Sequence, residues 1–99
     1  MNNTTPYITK PVETSDVELP DELLCLVEQL SRDVHNAWAA GRLNDGWTYG
    51  PERNDALKQH PCLVDYNDLS EEEKDFDRQT VMETLRKILK LGWYISKNN

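Results

Sequence analysis

The chain has 99 residues, of which 18 are acidic and 11 basic, for a formal net charge of -7. That balance argues against a surface built to neutralise nucleic-acid phosphates or to face an anionic membrane, so neither is expected as a partner. The length fits one small domain with a thin core, because only about 60–70% of the unfolded surface is buried at this size.

The first residues, MNNTTPYITKP, contain no apolar stretch of signal-peptide length. No later run approaches the roughly 20 apolar residues of a spanning helix. The expectation is a cytoplasmic chain. Residues 1–5 read as a disordered tail, and the domain as residues 6–95. The segment Tyr7-Ile8-Thr9-Lys10-Pro11-Val12 is extended by composition and bounded by prolines. It is a candidate short strand laid along the helices.

A first helix is predicted from about Pro20, a residue suited to a helix's first turn. Leu23, Leu26, Val27, Leu30, Val34, Ala37 and Trp38 recur at spacings of three and four, so they define its inward stripe. Glu28, Arg32, His35 and Asn36 then face away, together with Cys25, which makes His35 a solvated surface histidine. Gly41 and the Asn44-Asp45-Gly46 turn end the helix.

The stretch GWTYGPERNDALKQHPCLVDY, residues 46–66, follows. It is long for a structureless connector and too rich in aromatics for a disordered one. Trp47, Tyr49 and Tyr66 offer flat surface with polar tips. Arg53 offers a planar charged fork suited to phosphate or carboxylate. Lys58 and His60 add donors, and Asp55 and Asp77 would orient them. With Asp77 and Arg78 from the next element, these nine residues are the candidate ligand-binding set. They describe either a site for a small planar anion of nucleotide type, or a loop core in which aromatics pack and Arg53 closes an ion pair.

Cys25 and Cys62 form no CxxC pair, and His60-Pro61-Cys62 supplies at most two metal ligands. Reduced thiols, no metal and no cofactor are expected. His60 and Cys62 face opposite ways if extended. No serine sits in a strand-turn-helix elbow and no Walker-type glycine loop is present. The chain is therefore not expected to be an enzyme.

Ser70-Glu71-Glu72-Glu73 reads as a capping box opening a second helix, with three acids at the positive end of its dipole. Val81, Leu85, Ile88 and Leu89 make its core stripe, and Gly92 is its stop. Projected backward, that stripe runs into Lys74, Asp77 and Arg78, while Phe76 points off it. Inward charge needs a partner, and Arg53 is the expected partner of Asp77. Trp93-Tyr94-Ile95 would return across the domain, and residues 96–99 form a C-terminal tail.

Several blocks together carry a resemblance. These are Pro11-Val12-Glu13-Thr14-Ser15, Val17-Glu18-Leu19-Pro20, Val34-His35-Asn36-Ala37-Trp38 with Gly41-Arg42, Gly46-Trp47-Thr48-Tyr49-Gly50-Pro51-Glu52-Arg53, His60-Pro61-Cys62-Leu63-Val64 with Tyr66, and Asp77-Arg78 with Thr80-Val81. In this order and spacing they resemble the RyR domain, the repeat first described in ryanodine receptors, over residues 6–95. The resemblance implies a mainly α fold: two principal helices packed together, a long ordered connecting loop and minor short β-strands. It resembles a single free-standing copy of bacterial or phage type, without the pore of those channels and without the phosphorylated loop between paired repeats. Pairing of tandem copies in the receptors implies that a lone copy forms a homodimer. The function expected is a non-enzymatic interaction or scaffold module with a protein partner. The alternative is a sensor of a nucleotide-type small ligand, which the family suggests in some contexts.

Overall fold

A computed structural model describes residues 6–98. The tail read at residues 1–5 lies outside the described residues, as does Asn99. Two helices dominate: α1, Asp21–Asn44, and α2, Glu71–Lys90. Between them lie β1, Thr48–Tyr49, β2, Gln59–His60, and a single 3-10 turn, Tyr66–Asp68. The architecture is the expected one, with its two short strands inside the loop. The entry segment over residues 6–20 forms no strand.

Local chemistry sets the helix ends. Pro20 precedes α1 with its own carbonyl accepting from Leu23 N–H at 2.9 Å. Gly46 takes φ 89°, and the Gly46 and Trp47 amides return to the carbonyls of Leu43 and Arg42. That is a Schellman ending, and it needs a residue free of the left-handed penalty. Gly92, at φ 99°, ends α2 the same way, with its amide and that of Trp93 bonded back to Leu89 and Ile88. At the start of α2, Ser70 Oγ accepts from Glu73 N–H at 3.1 Å. Only this half of the capping box is made among the described residues.

The core is small. Leu19, Val27, Val81 and Leu85 cluster, with Met82, Leu89 and Ile95 packed against them. Ile95 thus brings the C-terminal segment back onto the domain, as its sequence suggested. The entry segment is held on α2 by Leu19, by Thr14 Oγ1 donating to Glu83 at 3.1 Å, and by the Asp16–Lys90 ion pair.

The inward face of α1 differs from the predicted stripe. Leu23, Val27, Ser31 and His35 are buried in four-residue steps, whereas Leu30 and Val34 are exposed. The N-terminal half of α1 meets α2 through apolar side chains. The C-terminal half meets the loop through polar ones, so apolar periodicity stops reporting burial halfway along. Ser31 satisfies its hydroxyl on Val27 O of its own helix, so its burial strands no polar group. His35 is 4% exposed, not solvated, and its Nε2 donates to Val64 O at 2.7 Å.

The loop is ordered by a compact crossing. β1 and β2 run parallel, with Thr48 opposite Gln59 and Tyr49 opposite His60. Gly50 is buried at the crossing, where a Cβ would lie 2.6 Å from Gln59 Cβ.

Candidate functional site

Five rings run from α1 into the loop. Tyr66 lies beside His35 at 6.1 Å, His35 beside Trp38 at 5.7 Å, Trp38 edge-on to His60 at 5.0 Å, and His60 edge-on to Trp47 at 6.5 Å. The Arg42 guanidinium lies 4.5 Å from the Trp47 ring centre and 5.7 Å from that of Trp38. Such contacts between a planar cation and an indole are attractive. The loop is folded around this spine.

The nine candidate residues separate into five environments. Tyr66 is 1% exposed and is core: its hydroxyl donates to Glu28 at 3.0 Å, and Arg32 and Lys74 cover its ring. Burial, then Glu28, pushes its phenol pKa up. Arg78 belongs to a clamp between the helices. It forks onto Glu28 of α1 at 2.8 and 3.1 Å and also bonds Glu71 and Asp75. Its hydrogen bonds hold the Glu28 and Glu71 carboxyls below the usual range.

Tyr49, Arg53, Asp55 and Lys58 sit on the exposed outer loop. Arg53 pairs with Asp55 at 2.8 Å, so the expected Arg53–Asp77 bridge is replaced by a partner two residues away. Lys58 Nζ donates to Asp45 O at 2.9 Å. Trp47 is partly buried under Arg42.

His60 and Asp77 line one pocket of about 180 Å³ together with His35, Trp38, Cys62, Leu69, Glu73 and the α2 residue Phe76. α1 supplies one wall, the segment from β2 the second, and the first turns of α2 the third. His60 Nδ1 accepts from Cys62 N–H at 3.0 Å, so the neutral ring carries its proton on Nε2. Burial, then the Arg53 and Arg42 charges, holds its pKa below the usual imidazole value. The Cys62 thiol is pushed up by burial and by neighbouring Glu73, and that glutamate does not close the capping box. Burial likewise raises Asp77. Asp77 has no hydrogen bond and no ion pair among the described residues, although Arg78 follows it in the chain. Consecutive helical residues point about 100° apart, consistent with 3.6 residues per turn, so these two diverge.

Sequence reading placed neither His35, Trp38, Cys62, Glu73 nor Phe76 in this pocket. The available signal was the four-residue spacing Val27, Ser31, His35, which hydrophobicity alone ranks below Val27, Leu30, Val34. Histidine, cysteine and carboxylate come close here, yet among the described residues no three are placed to hold a metal ion. No helix among the described residues is long and apolar enough to cross a membrane.

A family model described as the RyR domain matches residues 7–97, nearly the whole chain. The chain belongs to the RyR domain family.

Proposed function

We propose that this member of the RyR domain family is a non-enzymatic recognition module that works through protein contacts at the pocket between α1, β2 and α2, and that it self-associates. One observation carries the reading. Asp77, partly buried, has no hydrogen bond and no ion pair among the described residues, in a pocket with Phe76, 64% exposed, in its lining. An unused aromatic and acidic concavity on a small surface is what a recognition site offers. Catalysis has no comparable support. Cys62 is shifted toward the neutral thiol, the opposite of an activated nucleophile.

Self-association is supported by the thin core and by apolar surface left uncovered at the end of α2, where Leu91, Trp93 and Tyr94 are all exposed. Sedimentation velocity at tens of micromolar tests it, and a lone 11.5 kDa species would remove it. For the module itself, a photo-crosslinking residue replaces Phe76, with the same residue at exposed Glu13 as a control. A defined adduct specific to position 76 is expected in the cell of origin. Matching adduct patterns at the two positions would defeat the assignment of the pocket.

A nucleotide-type ligand is the second reading, favoured by the Trp38 ring in the pocket wall. Typical small-molecule pockets are about 300–1,000 Å³, so this one has room for a single ring system. Its two carboxylates disfavour a phosphate beside that ring, and Arg53 is already engaged by Asp55.

A further inference from the structure

Of the 18 carboxylate side chains, all but Asp77 and Glu83 are exposed. Glu83 is paired with Arg86 at 3.2 Å. Asp77 is therefore the one partly buried carboxylate with no hydrogen bond and no ion pair among the described residues, although the nearby His35 ring favours its charged form. The nearby cations are committed elsewhere: Arg78 to three carboxylates, Lys74 to Glu71 and the Tyr66 ring, Arg53 to Asp55, Arg42 to two indoles. His35, 4% exposed, lines the same pocket with its Nε2–H bonded to Val64 O. Glu73 adds another carboxylate one turn before Asp77, and Trp38 and Phe76 add aromatic surface.

Acceptors, negative charge and aromatic surface in one small cavity are complementary to an organic cation. Its volume, about 180 Å³, admits one long side chain but not a folded element. Larger clefts of about 440, 520 and 410 Å³ have no aromatic side chain in their lining, and one of about 380 Å³ is lined by α2 alone, with Phe76 beside Glu72 and Asp75 but no second aromatic wall. The chain's net charge of -7 would draw a basic segment toward it.

We infer that this pocket takes the ammonium or guanidinium head of a lysine or arginine side chain presented by a protein partner. Asp77 is the principal counter-charge, Glu73 a second one, and Trp38 and Phe76 pack on the stem. The inference rests on the recognition-module reading and supplies its ligand chemistry. It accounts for keeping a carboxylate where burial disfavours its charge: the missing cation arrives with the partner.

The experiment is a titration of the full chain, followed by amide and indole NMR signals. The probes are end-blocked Gly-Arg-Gly and Gly-Lys-Gly, with Gly-Gln-Gly as the uncharged control and adenosine monophosphate as the planar anion. Both basic probes are expected to bind in the millimolar range and to move the Trp38 indole, His60 and Phe76 signals. Binding should weaken as salt rises. Asp77→Asn should reduce it at least about tenfold, the effect of losing one charge-assisted hydrogen bond. Asp77→Asn should also leave the free protein at least as heat-stable as the parent, so lost binding cannot be misfolding. The gain should grow with pH: burial, aided by Glu73 and opposed by His35, raises the folded pKa of Asp77, and a carboxyl so raised stabilises when protonated and loses that contribution as pH rises through the folded value. Equal binding of Gly-Gln-Gly overturns the cation inference and leaves recognition at the pocket standing. Shifts of the same signals by adenosine monophosphate alone do likewise, in favour of the planar-ligand reading. Silence from all four probes overturns both.

Discussion

Replacing His35 by alanine probes the contact that holds the loop onto α1. If His35 were a surface residue, as apolar spacing suggests, the change would stay within about 0.5 kcal/mol. The structure requires more. The ring is 4% exposed and stands between Trp38 and Tyr66, and its Nε2–H is bonded to Val64 O. Losing the hydrogen bond costs about 0.5–1.5 kcal/mol, and emptying a buried ring site adds a cavity cost of a similar or larger size, for a sum of about 2–4 kcal/mol. In a domain of this length each kilocalorie moves Tm by roughly 4–8 °C, so the shift is large enough to read by circular dichroism. His35→Phe separates the contributions, since it keeps the ring volume and loses the donor. It should recover most of the cavity cost and leave the Val64 carbonyl unpaired. Amide hydrogen exchange should quicken over residues 60–66 in both variants. A His35→Ala protein that melts with the parent, with unchanged loop exchange, would refute the loop-anchoring role.

Other outcomes follow from the same geometry. Gly50→Ala should destabilise by about 1–3 kcal/mol, the usual cost of overpacking, and Gln59→Ala should not rescue it in urea melts, because the close contact is with Gln59 Cβ. Ser70→Ala should cost about 1 kcal/mol, and Glu73→Gln much less, since Ser70 Oγ makes the cap bond and Glu73 lies beside Cys62. Arg53→Ala should leave Tm unchanged, and its effect should add to that of Asp77→Asn, because the pair is separate and exposed. Arg78→Ala should lower the urea midpoint and flatten the acid limb of stability. In the parent, the lowered Glu28 and Glu71 carboxyls contribute fully above their ordinary pKa and lose that contribution as pH falls through the lower folded values.

Much of the fold was legible because its signals are local. Proline before α1, serine before α2 and glycines at 46 and 92 act on neighbouring amides, and a sequence window contains all the partners. The apolar stripe of α2 was likewise readable, since Val81 and Leu85 meet apolar side chains. The far half of α1 was not. Its buried residues are Ser31 and His35, and the group that makes His35 burial tolerable is a carbonyl 29 positions away. The pocket was half legible. His60 and Asp77 were singled out, and both line it. The partner assigned to Asp77 was wrong because Arg53 reaches Asp55 across one intervening residue, and short closures cost less chain entropy than long ones.

The pocket's chemistry follows from two adjacent residues on one helix. Asp77 and Arg78 would neutralise each other in an unordered chain, but helical geometry turns their side chains about 100° apart and assigns them different neighbours. Arg78 is turned toward Glu28 on α1 and gathers Glu71 and Asp75 on its own helix. One cation is thereby shared among three carboxylates, while Asp77 has no ion pair among the described residues. Moving Arg78 to serve Asp77 would release Glu28, and Glu28 also accepts from the Tyr66 hydroxyl, so the clamp between the helices would be lost with it. The stability of the helix pair and the unpaired charge in the pocket are therefore coupled. An ion-pair clamp that helps join α1 to α2 is thus the one that keeps Arg78 from Asp77.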